Sequence, residues 1–144
     1  MKKNGKTAKN VHTMTGPELV LHFWGNVWNH PHDHELIDDL MVEDFVITNA
    51  GKDIVGRENF KDWVKSILKV SNNFRLENLE IFESKDGSRV VSRWVCYGNN
   101  NGILGLPADN RPFSFTGIAI WEIRGNKLAH NWVERSVAFN EAGE

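Results

Sequence analysis

The chain contains a single cysteine, Cys96, so no intrachain disulfide can form and no Cys-x-x-Cys metal or redox motif exists. It also lacks a surplus of positive charge, with a formal net charge of −2 at neutral pH. Without a basic field nothing draws in a phosphate backbone, which argues against nucleic acid as a partner. No apolar run is long enough to span a bilayer, which argues against a membrane partner. The first residues, MKKNGKTAKNVHTM, are basic and polar and lack the apolar core of a signal peptide. These absences lead us to expect a cytoplasmic protein with a disordered tail over residues 1–14.

What the sequence has in quantity is aromatic side chain: six tryptophans and eight phenylalanines in 144 residues. A chain of that length builds one core, expected over residues 15–138 with a short C-terminal tail at 139–144. So heavy an aromatic load either fills the core or lines a cavity.

The longest organised stretch is RPFSFTGIAIWEIRGNKLAHNWVER, from Arg111 to Arg135. Two long runs rich in β-branched and aromatic residues flank Gly125 and Asn126, which reads as a hairpin of two strands. Neither arm carries a proline after Pro112, so both belong inside a sheet rather than at its edge. Upstream, Thr15-Gly-Pro-Glu18 is a capping box with proline in the first helical turn. Val20, Phe23, Trp24, Val27 and Trp28 then form one apolar helical face. A short second helix follows, with Asp33 as its N-cap and Leu36, Ile37, Leu40 and Met41 on its buried side. Asp44–Asn49 reads as a strand and 50–56 as a glycine-bounded loop. Arg57–Val70 reads as a third helix with Phe60, Trp63, Val64, Ile67 and Leu68 on one face. From Phe74 the period changes to two, giving strands at Phe74–Glu83 and Val90–Tyr97, then a glycine and asparagine loop over 98–110. Helices first and strands afterwards imply an α+β fold with the helices on one face.

The segment NHPHDHE, from Asn29 to Glu35, offers imidazoles and carboxylates, the usual zinc ligands. Its spacing around a proline does not match a helix-borne ligand pair, so the reading adopted is an exposed turn with no metal and no cofactor.

Three pieces together resemble the SnoaL-like proteins of the NTF2-like superfamily, which include small polyketide cyclases. They are the first helix ending in VWN, the segment from IDDLMVEDFV to GRENFKDWV, and RWVCYGNNNGILGLPADNRPFSFTGIAIWEIRGNKLAHNW. The resemblance spans Pro17 to Ser136. It implies an NTF2-like cone, a curved antiparallel sheet wrapped around about three N-terminal helices, with an apolar pocket and a homodimer through the outer sheet face. The pocket would take a small apolar or aromatic molecule, with Trp24, Trp28, Phe45, Trp63, Tyr97, Phe115, Ala119, Trp121, Asn131 and Val133 as its candidate lining.

The cyclases of this family are understood to use an aspartate after the closing tryptophan and a histidine in the G-I-H-I strand. Those positions here are Val133 and Ala119, which cannot exchange a proton. Candidate replacements are Asn131, Glu134 and His130, and which of them faces the pocket depends on the hairpin register. A two-residue turn at Gly125 and Asn126 pairs Ala119 with Trp132 and turns Glu134 and His130 inward. A three-residue turn beginning at Arg124 pairs Ala119 with Asn131 and gives a wall of Ala119, Trp121, Asn131 and Val133. We adopt the second. Glu134 beside Arg135 is otherwise a surface ion pair, and Arg93 points to solvent or to a dimer, or binds an anionic group if it points inward. Asn99 to Asn101 are turn formers, or amides at the pocket rim.

Two functions fit these features. One is a pocket enzyme, an isomerase, cyclase or hydratase of an apolar carbonyl compound. The other is a non-catalytic ligand-binding or dimeric interaction module.

Overall fold

The computed structural model describes residues 10–136, so most of the expected N-terminal tail and all of the C-terminal one lie outside the described residues. Packing starts before Thr15, because Met14 is already buried in the core after a single 3-10 turn at Val11–Thr13. Helix α1, Gly16–Phe23, begins as its capping box requires: Thr15 Oγ1 accepts from Glu18 N, and Thr15 N donates to Glu18 Oε1 at 2.9 Å. The apolar face continues past α1 through a π turn, Trp24–Trp28. This wider turn keeps both Trp24 and Trp28 buried.

The second helix is shorter than expected, a 3-10 turn at His34–Leu36 running into α2, Ile37–Leu40. Asp33 does cap it, accepting from Glu35 N. Helix α3, Arg57–Lys69, buries Phe60 and Val64.

Six strands form one sheet: β1 Met41–Asn49, β2 Lys52–Val55, β3 Ser71–Glu83, β4 Arg89–Asn100, β5 Pro112–Arg124 and β6 Lys127–Arg135. Their order is β2-β1-β6-β5-β4-β3, so the two arms of the hairpin are interior strands as expected. The segment read as a loop over 50–56 instead contains β2, which folds back antiparallel on β1. The sheet is antiparallel except where β1 runs parallel to β6. Strand β5 alternates strictly, with Phe113, Phe115, Gly117, Ala119 and Trp121 inward and Thr116, Ile118 and Ile120 outward.

The hairpin register combines parts of both expectations. Gly125 and Asn126 both have positive φ, 58° and 64°, and Arg124 pairs with Lys127, so the turn is the two-residue type I′ form. Beyond it, Ile123 pairs with Leu128 but Glu122 pairs with His130, so Ala129 is an extra residue on β6. Leu128 and Ala129 are consequently buried in succession. This β-bulge moves the arm by one residue. Ala119 therefore lies opposite Val133 and Trp121 opposite Asn131, two pairings that neither uniform register gives. The wall of Ala119, Trp121, Asn131 and Val133 is nevertheless the inward one.

Candidate functional site

Aromatic side chains from the helices and from the inner face of the sheet meet in two groups. Phe23, Phe45, Phe60 and Trp121 form a solid floor, with Phe45 to Phe60 at 4.8 Å and Phe23 to Trp121 at 5.9 Å between ring centroids. Above it, Trp28 lies edge-on to Trp63 at 5.9 Å and tilts onto Phe74 at 5.2 Å. The groups touch where Phe60 meets Trp63 at 5.9 Å and Phe23 meets Trp28 at 6.5 Å. A cavity of about 260 Å³ remains, walled by Trp24, Trp28, Phe60, Trp63 and Phe74 on one side. The inward residues of β1, β4, β5 and β6 form the other side, and Ile103 and Leu104 close one end.

Eight of the ten lining residues expected from the sequence border this cavity: Trp24, Trp28, Trp63, Phe115, Ala119, Trp121, Asn131 and Val133. Phe45 does not, because Phe60 stands between it and the open space and leaves it fully buried in the floor. Tyr97 does not either. It is only half-buried, and the Arg75 guanidinium covers its ring at 4.4 Å.

Of the three candidate catalytic residues, only Asn131 reaches the cavity. The bulge turns His130 and Glu134 to the outer face, opposite Glu122 and Ile118. His130 stacks on Trp132 at 3.8 Å, and its Nε2 lies 2.9 Å from Thr48 Oγ1. The Thr48 hydroxyl donates to Asp53 Oδ1, so the imidazole is the donor to Thr48. Partial burial pushes the imidazole pKa below its ordinary value, against the pull of Asp53 and Glu122. Glu134 is exposed.

The asparagines of the long loop serve the backbone. Asn100 is buried, donates to the Pro107 carbonyl and accepts from Gly102 N and Ile103 N. Asn99 donates to the Asn110 carbonyl and Asn101 to the Lys69 carbonyl. The amides that face the cavity are elsewhere, on Asn49 and Asn131. Their Oδ1 atoms are buried without a hydrogen-bond partner, and Asn131 is only 6% exposed. Arg135 completes the polar set at the mouth. Cys96 also lines the cavity, and burial pushes its thiol up to about 11, so it stays protonated at neutral pH. Among the described lining residues there is no aspartate, glutamate or histidine.

Gly117 shows how closely the wall is built. A Cβ there would collide with the indole of Trp94, its partner on β4, so the bare backbone is what lets Trp94 lie against the cavity. In the histidine-rich turn, His32 Nδ1 lies 3.1 Å from the Val27 carbonyl and donates to it, while His30 is exposed.

The family profile described as SnoaL-like polyketide cyclase matches residues 18–137, nearly the whole described chain. The chain belongs to this SnoaL-like family. None of the curated proteins matches it in sequence. Among solved structures, this SnoaL-like chain superposes on TsrD from Streptomyces laurentii with a TM-score of 0.73 at 24% identity, covering 84% of this chain and 87% of that one. A SnoaL-like protein of Jannaschia Sp. CCS1 matches with a TM-score of 0.77 at 13% identity, over 92% of each chain. A Catenulispora acidiphila protein with a ketosteroid isomerase-like fold, solved in complex with trimethylamine, matches with a TM-score of 0.69 at 20% identity, over 85% and 88%. Identities this low establish the shared fold.

Proposed function

We propose that this SnoaL-like protein binds a small, largely apolar carbonyl compound in the aromatic cavity, with Asn131 Nδ2 donating to its carbonyl. The observation that carries this reading is the side-chain amide of Asn131, buried at the cavity wall with no protein partner for its oxygen. Burying an amide unpaired costs about 1–3 kcal/mol, and a half-turn of the terminal amide lets Nδ2 donate to a ligand carbonyl and offset part of that cost. Trp24, Trp28 and Trp63 supply flat apolar surface for the rest of the molecule.

Of the two functions, the lining favours binding over proton transfer. Val133 and Ala119 face one another across β5 and β6 at the positions where the resemblance puts the aspartate and histidine, and the cavity offers no replacement base. An isomerase, cyclase or hydratase step in this pocket would have to draw its proton donor and acceptor from the ligand or from water. The single protonated thiol, Cys96, fits a reducing compartment such as the cytoplasm. A homodimer through the outer face of β4, β5 and β6 belongs to the same proposal.

The test uses 2-acetonaphthone, a neutral aromatic ketone, followed by tryptophan quenching and by native mass spectrometry. Saturable quenching and a retained adduct are expected, both lost in Trp24→Ala. Failure of the wild-type protein to bind the ketone would sink the reading. Solvent deuterium appearing in the ketone's methyl group above the buffer rate would instead assign catalysis.

A further inference from the structure

The inward face of β6 carries Asn131, Val133 and Arg135 at alternate positions. The parallel register sets Asn49 of β1 opposite Val133. Three polar side chains therefore surround one valine: an amide and a guanidinium two residues away on its own strand, and an amide from the neighbouring strand. Hydrogen bonds beyond the end of β6 hold Arg135 in this position, since Ser136 N donates to the Thr116 carbonyl at 2.8 Å and Thr116 N donates to Ser136 Oγ at 3.2 Å. Opposite Arg135 on β5 is Gly117, and the Trp94 indole fills the space that its missing side chain leaves.

Arg135 has no carboxylate partner among the described residues. Among the described residues its one side-chain hydrogen bond is a long one, 3.4 Å from Nη1 to the Ser136 carbonyl. Its charge is felt inside the cavity, where it acts to lower the thiol pKa of Cys96 against the larger effect of burial. Asn49, Trp63 and Arg135 also border a second, outer depression with Lys52 and Asp53, so they stand at the threshold between cavity and surface. Asp53 is already engaged by the Thr48 hydroxyl at 2.6 Å.

We propose that Arg135, Asn49 and Asn131 form a carboxylate-binding end of the cavity, so that the ligand is an apolar acid with its body among the tryptophans. This rests on the reading of the cavity as a ligand pocket and names the class of ligand. A guanidinium presents its N–H groups as a planar fork that matches the two oxygens of a carboxylate. Each asparagine adds N–H donors once its Nδ2 turns toward the ligand, and the half-turn of a terminal amide that brings it there keeps the side chain in place. The apolar position at Val133 leaves the ring without a negative charge of its own, so the anion has to come from the ligand.

The experiment compares 2-naphthoate with 2-naphthamide, equal in shape and different in charge, by tryptophan quenching at low salt. The acid is expected to bind the wild-type protein at least about tenfold more tightly. In Arg135→Gln that preference should fall to near unity while the amide binds as before, and Arg135→Lys should keep part of it. Equal binding of acid and amide to the wild type would overturn the inference, as would a preference that survives Arg135→Gln. If 2-acetonaphthone binds and the acid binds no better, the pocket stands and its anionic end falls. If no aromatic probe binds, both fall together. The wild-type comparison decides the matter even if a variant fails to fold.

Discussion

A terminal amide packed against tryptophans has given up water without gaining a protein partner, and Asn131 is in that position. Leucine has a similar size and nothing to satisfy. Asn131→Leu should therefore raise stability by about 1 kcal/mol in urea unfolding, and weaken binding of an aromatic ketone at least about fivefold. A variant that is less stable, or that binds as the wild type does, would show that Asn131 is not the residue carrying that cost. Asn131 was legible in the sequence because its partners in the alternation, Trp121 and Val133, marked the same face. Asn49 and Arg135 were legible by the same rule and were missed. Phe45, Ile47 and Asn49 share one side of β1, and the step from Val133 to Arg135 keeps to one side of β6.

At the level of elements, α3 is tied to α2 and to the turn before it by a buried cation. Lys61 is 6% exposed, and its Nζ reaches Asp38 Oδ2 at 3.0 Å and Glu35 Oε1 at 3.4 Å. The hydrogen bond from Lys61 holds the Asp38 carboxyl below its ordinary pKa, while the same bond raises that of Lys61. A carboxylate whose pKa is lowered by folding stabilises the native state above its unfolded value, and that contribution is lost as the pH falls through the folded value. Asp38→Asn should thus cost about 1 kcal/mol at pH 7, since Asp38 is partly exposed, and the cost should shrink toward pH 2. Urea unfolding at the two pH values checks this, and an equal loss at both would remove the charge from the account. The capping box, the aromatic face of α1 and the inward alternation of β5 were readable because each is a local pattern. Strand β2 was not, since its four residues sit between Gly51 and Gly56 and pair only through β1. Turn chemistry at Gly125 and Asn126 and the inward placement of Val133 disagreed by one residue, and the bulge at Ala129 takes up that residue. Ala129 itself carries no local mark of a bulge, so no sequence pattern could have located it.

For the whole molecule, the outer sheet face supports the dimer proposal. Ile118 is 52% and Ile120 42% exposed. Ile120 lies between Val91 and Trp132, and Ile118 lies between Arg93 and Glu134. An apolar strip bordered by one charge of each sign is the kind of surface that can meet its own copy about a two-fold axis. Light scattering at tens of micromolar should give twice the 16.5 kDa chain mass for the wild type, and the single mass for Ile120→Glu. A wild-type monomer at that concentration would remove the dimer.

The bulge at Ala129 has a consequence for how such a pocket could change its chemistry over time. Were Ala129 taken into the ladder instead of bulging out of it, the turn would stay as it is and the far end of β6 would reverse its faces, carrying Asn131, Val133 and Arg135 outward and His130, Trp132 and Glu134 inward. The sheet thus stores a second, unexpressed interior one register step away, and that interior contains the carboxylate the present cavity lacks. A lineage with this hairpin can trade an anion-accepting interior for one that holds an acid without inventing a single new side chain.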